Sequence, residues 1–111
     1  MSRGPPLRSS VDSEPDERVC PIEEAGPVFE ALTSETARTV LRRLHRSPAP
    51  ASEVVEAVGT SIQNATYHLD RLEAVGLVDR VETWYSANGR EMDVYAPVPV
   101  TVVCAPDATD D

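Results

Sequence analysis

TSIQNATYHLDRLEAVGLVDRV, residues 60–81, is the stretch whose reading decides the fold. Ser61 is a good N-cap, and from Ile62 the apolar residues Ile62, Ala65, Leu69, Leu72 and Val75 recur at helical spacing on one side. Gly76 stands where a left-handed residue closes a helix, so the spacing predicts a helix over 62–75 whose apolar side faces other helices. The opposite side carries Gln63, Tyr67 and Asp70, flanked by Asn64, Thr66 and Arg71.

Upstream, Ser52 opens a shorter helix with Val54, Val55 and Val58 apolar and Gly59 as its stop, leaving three residues as a tight turn before the next helix. Before that, Val28, Phe29 and Leu32 form a short helical turn. Ser34 caps a helix over 35–46 that carries Ala37, Val40, Leu41 and Leu44 and ends at Ser47-Pro48-Ala49-Pro50. Downstream of Leu77 the period changes to two. Asn88-Gly89 is a strong hairpin signal, and a two-residue turn there pairs Tyr85 with Met92, Thr83 with Val94 and Val81 with Ala96 as an inward face. Glu82, Trp84, Asp93 and Tyr95 are then expected outward, with Trp84 and Tyr95 as diagonal neighbours that a second subunit or the N-terminal segment would cover. Val100–Val103 follows two prolines as an edge strand or an interface element.

This order of elements predicts a mainly α fold with a small β wing: a three-helix core plus a two-stranded antiparallel hairpin, the winged helix-turn-helix. The stretch 60–81 resembles the recognition helix and following strand of ArsR-type transcriptional repressors. TWYSANGREMDVYAP, 83–97, is similar to the wing of the ArsR-like regulators of salt-loving archaea. With LTSETARTVLRRL, 32–44, the resemblance covers about 70 of the 111 residues. It implies a DNA-binding transcriptional regulator that works as a homodimer, with the first helix and the terminal segments, here Val28, Phe29 and 100–103, at the interface, core packing within one chain being the alternative for Phe29.

The chemistry of the third helix supports the same function. Gln and Asn read adenine edges in the major groove, and Thr or Tyr meets a phosphate or a thymine methyl, so Gln63, Asn64, Thr66 and Tyr67 are the expected readers, with Arg71 on phosphate. Ser61 at the helix N-terminus is either a cap alone or also a phosphate ligand. Arg90, just past the Asn88-Gly89 turn, is placed to enter a minor groove from a wing tip. Arg38, Arg42 and Arg46, with Arg43 beside them, form a stripe that holds phosphates or is a solvated, salt-bridged face. His68 is expected as a packed, hydrogen-bonded histidine, and Asp70 either as the partner of a neighbouring arginine or as lying just beyond the contact zone.

Composition narrows the alternatives. At 111 residues the chain has room for one domain, and it contains no apolar run near the length of a membrane span and no signal-peptide pattern, so a cytoplasmic protein is expected. Cys20 and Cys104 sit in no metal or redox spacing, no cysteine lies in 35–46, and spare thiols are expected rather than a disulfide. No catalytic or phosphate-loop motif occurs, so neither an enzyme nor a cofactor or metal ion is expected, and no small-molecule ligand is inferred. The net charge is −9, and all ten basic residues are arginine. That acidic, lysine-free balance fits a cytoplasm of molar salt, where the Debye length is about 3 Å and local contacts outweigh the overall field. Residues 1–26 hold six acids, three arginines and four prolines and are expected as a disordered or loosely docked tail; 106–111 is a second acidic tail. The domain between them, 27–105, has seven arginines against ten acids. The rival reading is a winged-helix module that binds a protein partner through Trp84, Tyr95 and an acidic surface including Asp70 and Glu73, without DNA.

Overall fold

The computed structural model describes residues 15–105, so 1–14 of the expected N-terminal tail and the whole expected tail 106–111 lie outside the described residues. Four helices appear where capping and periodicity put them: α1 Gly26–Ala31, α2 Glu35–Arg46, α3 Ala51–Val58 and α4 Ile62–Ala74. The Ser34 and Ser61 hydroxyls accept from the N–H groups of Ala37 and Asn64, satisfying donors that the first helical turn leaves unpaired. Gly59 closes α3 at φ 76°. Gly76 does so for α4 at φ 84°, with Gly76 N–H on Glu73 O and Leu77 N–H on Leu72 O. This paired capping turns the chain sharply and starts a strand two residues later.

Five strands complete the fold: β1 Arg18–Pro21, β2 Ala49–Pro50, β3 Val78–Tyr85, β4 Glu91–Pro97 and β5 Val100–Val103. The wing is a three-stranded antiparallel sheet ordered β2-β4-β3, not the two-stranded hairpin expected. The added strand is the proline-bearing link after α2, pairing Ala49 with Tyr95 and Pro50 with Val94. Pro50 has no N–H to donate, which an edge strand tolerates because only one of its sides is paired.

The hairpin register differs from expectation by one residue and then by a second. Ser86 N–H donates to Arg90 O and Gly89 N–H to Ser86 O, so the loop is the three-residue Ala87-Asn88-Gly89 with Gly89 at φ 80°, not the two-residue Asn88-Gly89. Tyr85 therefore faces Glu91, Trp84 faces Met92 and Thr83 faces Asp93. A bulge between Arg80 and Glu82 shifts the pairing again, setting Arg80 opposite Tyr95. Tyr95, expected outward, is buried in the core, whereas Tyr85, expected inward, is 49% exposed.

The core is one cluster centred on Val40, Leu44, Val54, Leu69, Leu72 and Val78, all fully buried. With Val28 of α1, it joins all four helices to the root of the sheet. β1 pairs in parallel with β5, which is thus an edge strand. Residues 18–25, within the segment expected as a disordered or loosely docked tail, pack on the fold: Cys20 and Ala25 are buried, and the Arg18 guanidinium donates to Gly76 O (2.9 Å) and Val75 O (3.4 Å) at the end of α4. Two small apolar side chains and one arginine achieve this within a segment whose average is polar. Among the described residues no helix is long and apolar enough to cross a membrane.

Candidate nucleic-acid interface

α3, the Gly59-Thr60-Ser61 turn and α4 form the helix-turn-helix, and the side of α4 away from the core is open. Leu69 and Leu72 are fully buried beneath the helix, while Ile62, Gln63, Thr66, Tyr67 and Asp70 line an open depression of about 390 Å³ on its outer side. Gln63, Thr66 and Tyr67, three of the expected readers, are thereby brought together. Tyr67 is 53% exposed, and its ring lies 5.9 Å beneath the Arg71 guanidinium, whose Nη1 is 3.5 Å from the tyrosine hydroxyl. Arg71 therefore packs on Tyr67 before it meets any partner.

The other expected residues take different positions. Asn64 is half-buried and its amide donates to Thr60 Oγ1 (2.7 Å), holding the turn together from within. Ser61 is exposed, and its hydroxyl is used as the cap (3.0 Å from Asn64 N). Arg90 is exposed at the end of the wing loop, where its backbone N–H donates to Ser86 Oγ (3.0 Å), leaving the guanidinium free of partners among the described residues. The α2 stripe divides: Arg38 donates to Leu32 O and Arg43 to Ser47 O and Glu53, whereas Arg42 and Arg46 are exposed with no side-chain partner among the described residues.

Ile62 is the residue that periodicity misplaced. Assigned to the core side, it is 50% exposed and part of the outer depression. It is the first residue of α4, and helical side chains lean toward the N-terminus, which at that position lies beyond the packed turn. Position within the helix, added to the wheel angle, is the signal that finds it.

The electrostatics of α4 turn on Arg80 of β3. Its guanidinium contacts Asp93 (2.9 Å), Glu73 (3.2 Å) and Asp70 (3.5 Å), and it stacks 5.5 Å over the Tyr95 ring. The acids that gave α4 its negative character are thus tied to one cation and joined to the wing. Burial, opposed by Arg80, holds the Tyr95 hydroxyl above the ordinary tyrosine range. His68 is buried as expected, edge-on to Tyr67 with ring centroids 5.1 Å apart, but its imidazole makes no hydrogen bond among the described residues. Burial first, and the Arg71 charge second, lower its basicity. Among the described residues no group of three His, Cys, Asp or Glu lies close enough to hold a metal ion.

Comparison with known proteins agrees with this geometry. A family described as a helix-turn-helix domain matches residues 32–81. No curated protein gives a significant match. Among solved structures, an ArsR-like transcriptional regulator from Rhodococcus sp. RHA1 is 30% identical with a TM-score of 0.54, over 68% of this chain and 66% of that one. The crystal structure of an ArsR family transcriptional regulator is likewise 30% identical, with a TM-score of 0.53, over 67% of this chain and 75% of the other. A homodimeric winged helix-turn-helix DNA-binding domain from Mycobacterium bovis, a possible ArsR-family regulator, shares 20% identity with a TM-score of 0.55, over 68% of this chain and 65% of its own, and shows the fold alone. The chain thus spans about two thirds of the Rhodococcus and M. bovis relatives.

Proposed function

The chain belongs to the ArsR family of transcriptional regulators, and from that premise we propose that it binds double-stranded operator DNA in a sequence-specific way, as a homodimer. α4 enters the major groove and the β3–β4 hairpin acts as the wing. The observation that carries this reading is the outer side of α4. There Gln63, Thr66 and Tyr67 line an open depression, and the helix's carboxylates are already paired with Arg80. Left unpaired, Asp70 and Glu73 would repel phosphate and favour the rival protein-binding reading. One guanidinium held against three carboxylates lowers the local negative charge without cancelling it, and Arg71 beside Tyr67 adds a second cation on the reading side.

In this reading Gln63 meets an adenine edge, Thr66 and Tyr67 lie against bases or the adjoining backbone, Arg71 and Ser61 approach phosphates and Arg90 reaches a minor groove. Asn64 acts through the turn it braces. Dimerisation is supported by the homodimeric state of the M. bovis neighbour and by the half-exposed Phe29 and Val103, which an isolated protomer leaves in water. The acidic, lysine-free composition supports a salt-rich cytoplasm. There, counterion release contributes less to affinity, and base contacts and fit must contribute more.

The test is selection of bound fragments from random duplex DNA at molar potassium chloride, beside a Gln63→Ala, Tyr67→Ala, Arg90→Ala triple variant. A two-fold symmetric sequence enriched by the protein and lost with the folded variant is the expected result. No enrichment by the folded protein overturns the proposal.

A further inference from the structure

The reading side of α4 is unusual in what it offers a DNA groove. Its depression is lined by Gln63, Thr66, Tyr67 and Asp70 together with Ile62, which its place in the first turn brings to the same side. The lining contains no cationic side chain. Its single charged group, Asp70, is 3.5 Å from Arg80. Ile62 and Tyr67 keep about half their surface in water, at 50% and 53% exposure, and Thr66 adds a methyl group between them. A surface of an aliphatic and an aromatic side chain, a methyl-bearing hydroxyl, one amide and one arginine-paired carboxylate suits a partner that presents an apolar group close to hydrogen-bonding edges.

The major groove contains one such apolar group, the 5-methyl of thymine, and the adenine paired with it offers the N6 and N7 pattern that an amide reads. We infer that α4 reads thymine 5-methyl groups. At least one A·T pair in each half-site places its thymine methyl against Ile62 and the Tyr67 ring, with Gln63 on an adenine edge of the same or the adjoining pair. The inference rests on the DNA-binding reading above and deepens it. Arg71 is then a positioning residue: packed 5.9 Å from the tyrosine ring and 3.5 Å from its hydroxyl, it fixes the ring as a wall of the methyl site. Apolar contact is little screened by salt, so this form of recognition persists where phosphate contacts weaken.

The experiment uses the full chain and the duplex enriched in the selection described above, at molar potassium chloride, with affinity read by fluorescence anisotropy. Each thymine of a half-site is replaced in turn by deoxyuridine, which removes the methyl and leaves every hydrogen-bonding atom in place. One or two positions per half-site are expected to lose about fourfold in affinity each, the effect of exposing one buried methyl. In Ile62→Ala, whose side chain is half in water, the same replacements are expected to cost less, because the methyl keeps only its contact with the Tyr67 ring.

Tight binding of the thymine duplex with no loss at any deoxyuridine position overturns the methyl-reading inference and leaves the DNA-binding proposal standing. A deoxyuridine loss that is undiminished in Ile62→Ala also overturns it, since the methyl then acts through duplex shape. Failure of the folded protein to bind any duplex overturns both readings.

Discussion

The helix-turn-helix and the wing are built from similar lengths of chain, yet they obey different kinds of rule. α3 and α4 are bounded by local events: Gly59 at φ 76°, the Ser61 hydroxyl on Asn64 N–H, and Gly76 at φ 84°. Each acts within four residues, so the helices end where a short window of sequence says they end. The wing is bounded by pairings between distant residues. One extra residue in the loop and one bulge at Val81 move its register twice, exchanging the environments of Tyr85 and Tyr95. Errors in a helix stay at its ends, whereas errors in a hairpin run through both strands.

The two regions share a core, and the largest expected effect tests whether they melt as one. Leu69 of α4 is fully buried in the cluster that also holds Val78 and Tyr95. Leu69→Ala should cost about 3 kcal/mol. Urea transitions followed by helical circular dichroism and by Trp84 fluorescence should shift together, and separated transitions would show that the wing has stability of its own.

Gly76 is the next largest case, because there the helix hands the chain to the wing. It has a left-handed backbone, and a β-carbon would collide with the guanidinium of Arg18, which must then leave the carbonyls of Val75 and Gly76. Gly76→Ala is expected to cost about 2 kcal/mol, from left-handed strain and displacement of that clamp. In the Arg18→Ala background the same substitution should cost measurably less. Equal costs in both backgrounds would assign the whole effect to the backbone. Ser61→Ala, which removes one cap, is smaller at about 1 kcal/mol and lowers the melting midpoint by roughly 4–8 °C, seen by differential scanning calorimetry.

The same division explains what could be read before the structure. Helix positions, the turn, the existence of the hairpin and the outward side of α4 follow from caps, glycines and a 3.6-residue period. The strand β2 did not, because Pro48 and Pro50 signal only the end of a helix, and nothing local announces that Ala49 lies against Tyr95. Periodicity assigns Ile62 to the core because a helical wheel has no length, so it cannot show that a first-turn residue overhangs its packing partner. Asp70 was expected to find an arginine, and Arg80 is that partner. The bulge that brings Arg80 opposite Tyr95 left no mark in the alternation of Val78-Asp79-Arg80-Val81. Composition leaves residues 18–25 between disordered and loosely docked for a related reason: their packing depends on Cys20, Ala25 and Arg18 individually, which an average does not describe.

The smallest effect separates the two regions by pH, since each carries a different buried titrating group. His68 in α4 has its basicity lowered by burial, so the folded state prefers the neutral imidazole. Its contribution is complete above the unfolded value of about 6.5 and is lost as pH falls through the lower folded value. Tyr95 on β4 has its hydroxyl raised by burial, so its contribution is complete below the unfolded value of about 10 and is lost as pH rises through the higher folded value. Urea midpoints measured from pH 5 to pH 11 should therefore decline at both ends, with His68→Gln flattening the acid arm and Tyr95→Phe the alkaline arm. If either substitution flattens both arms, the ionisations are not confined to their own regions, and the contrast between a locally determined helix pair and a non-locally determined wing does not extend to their electrostatics.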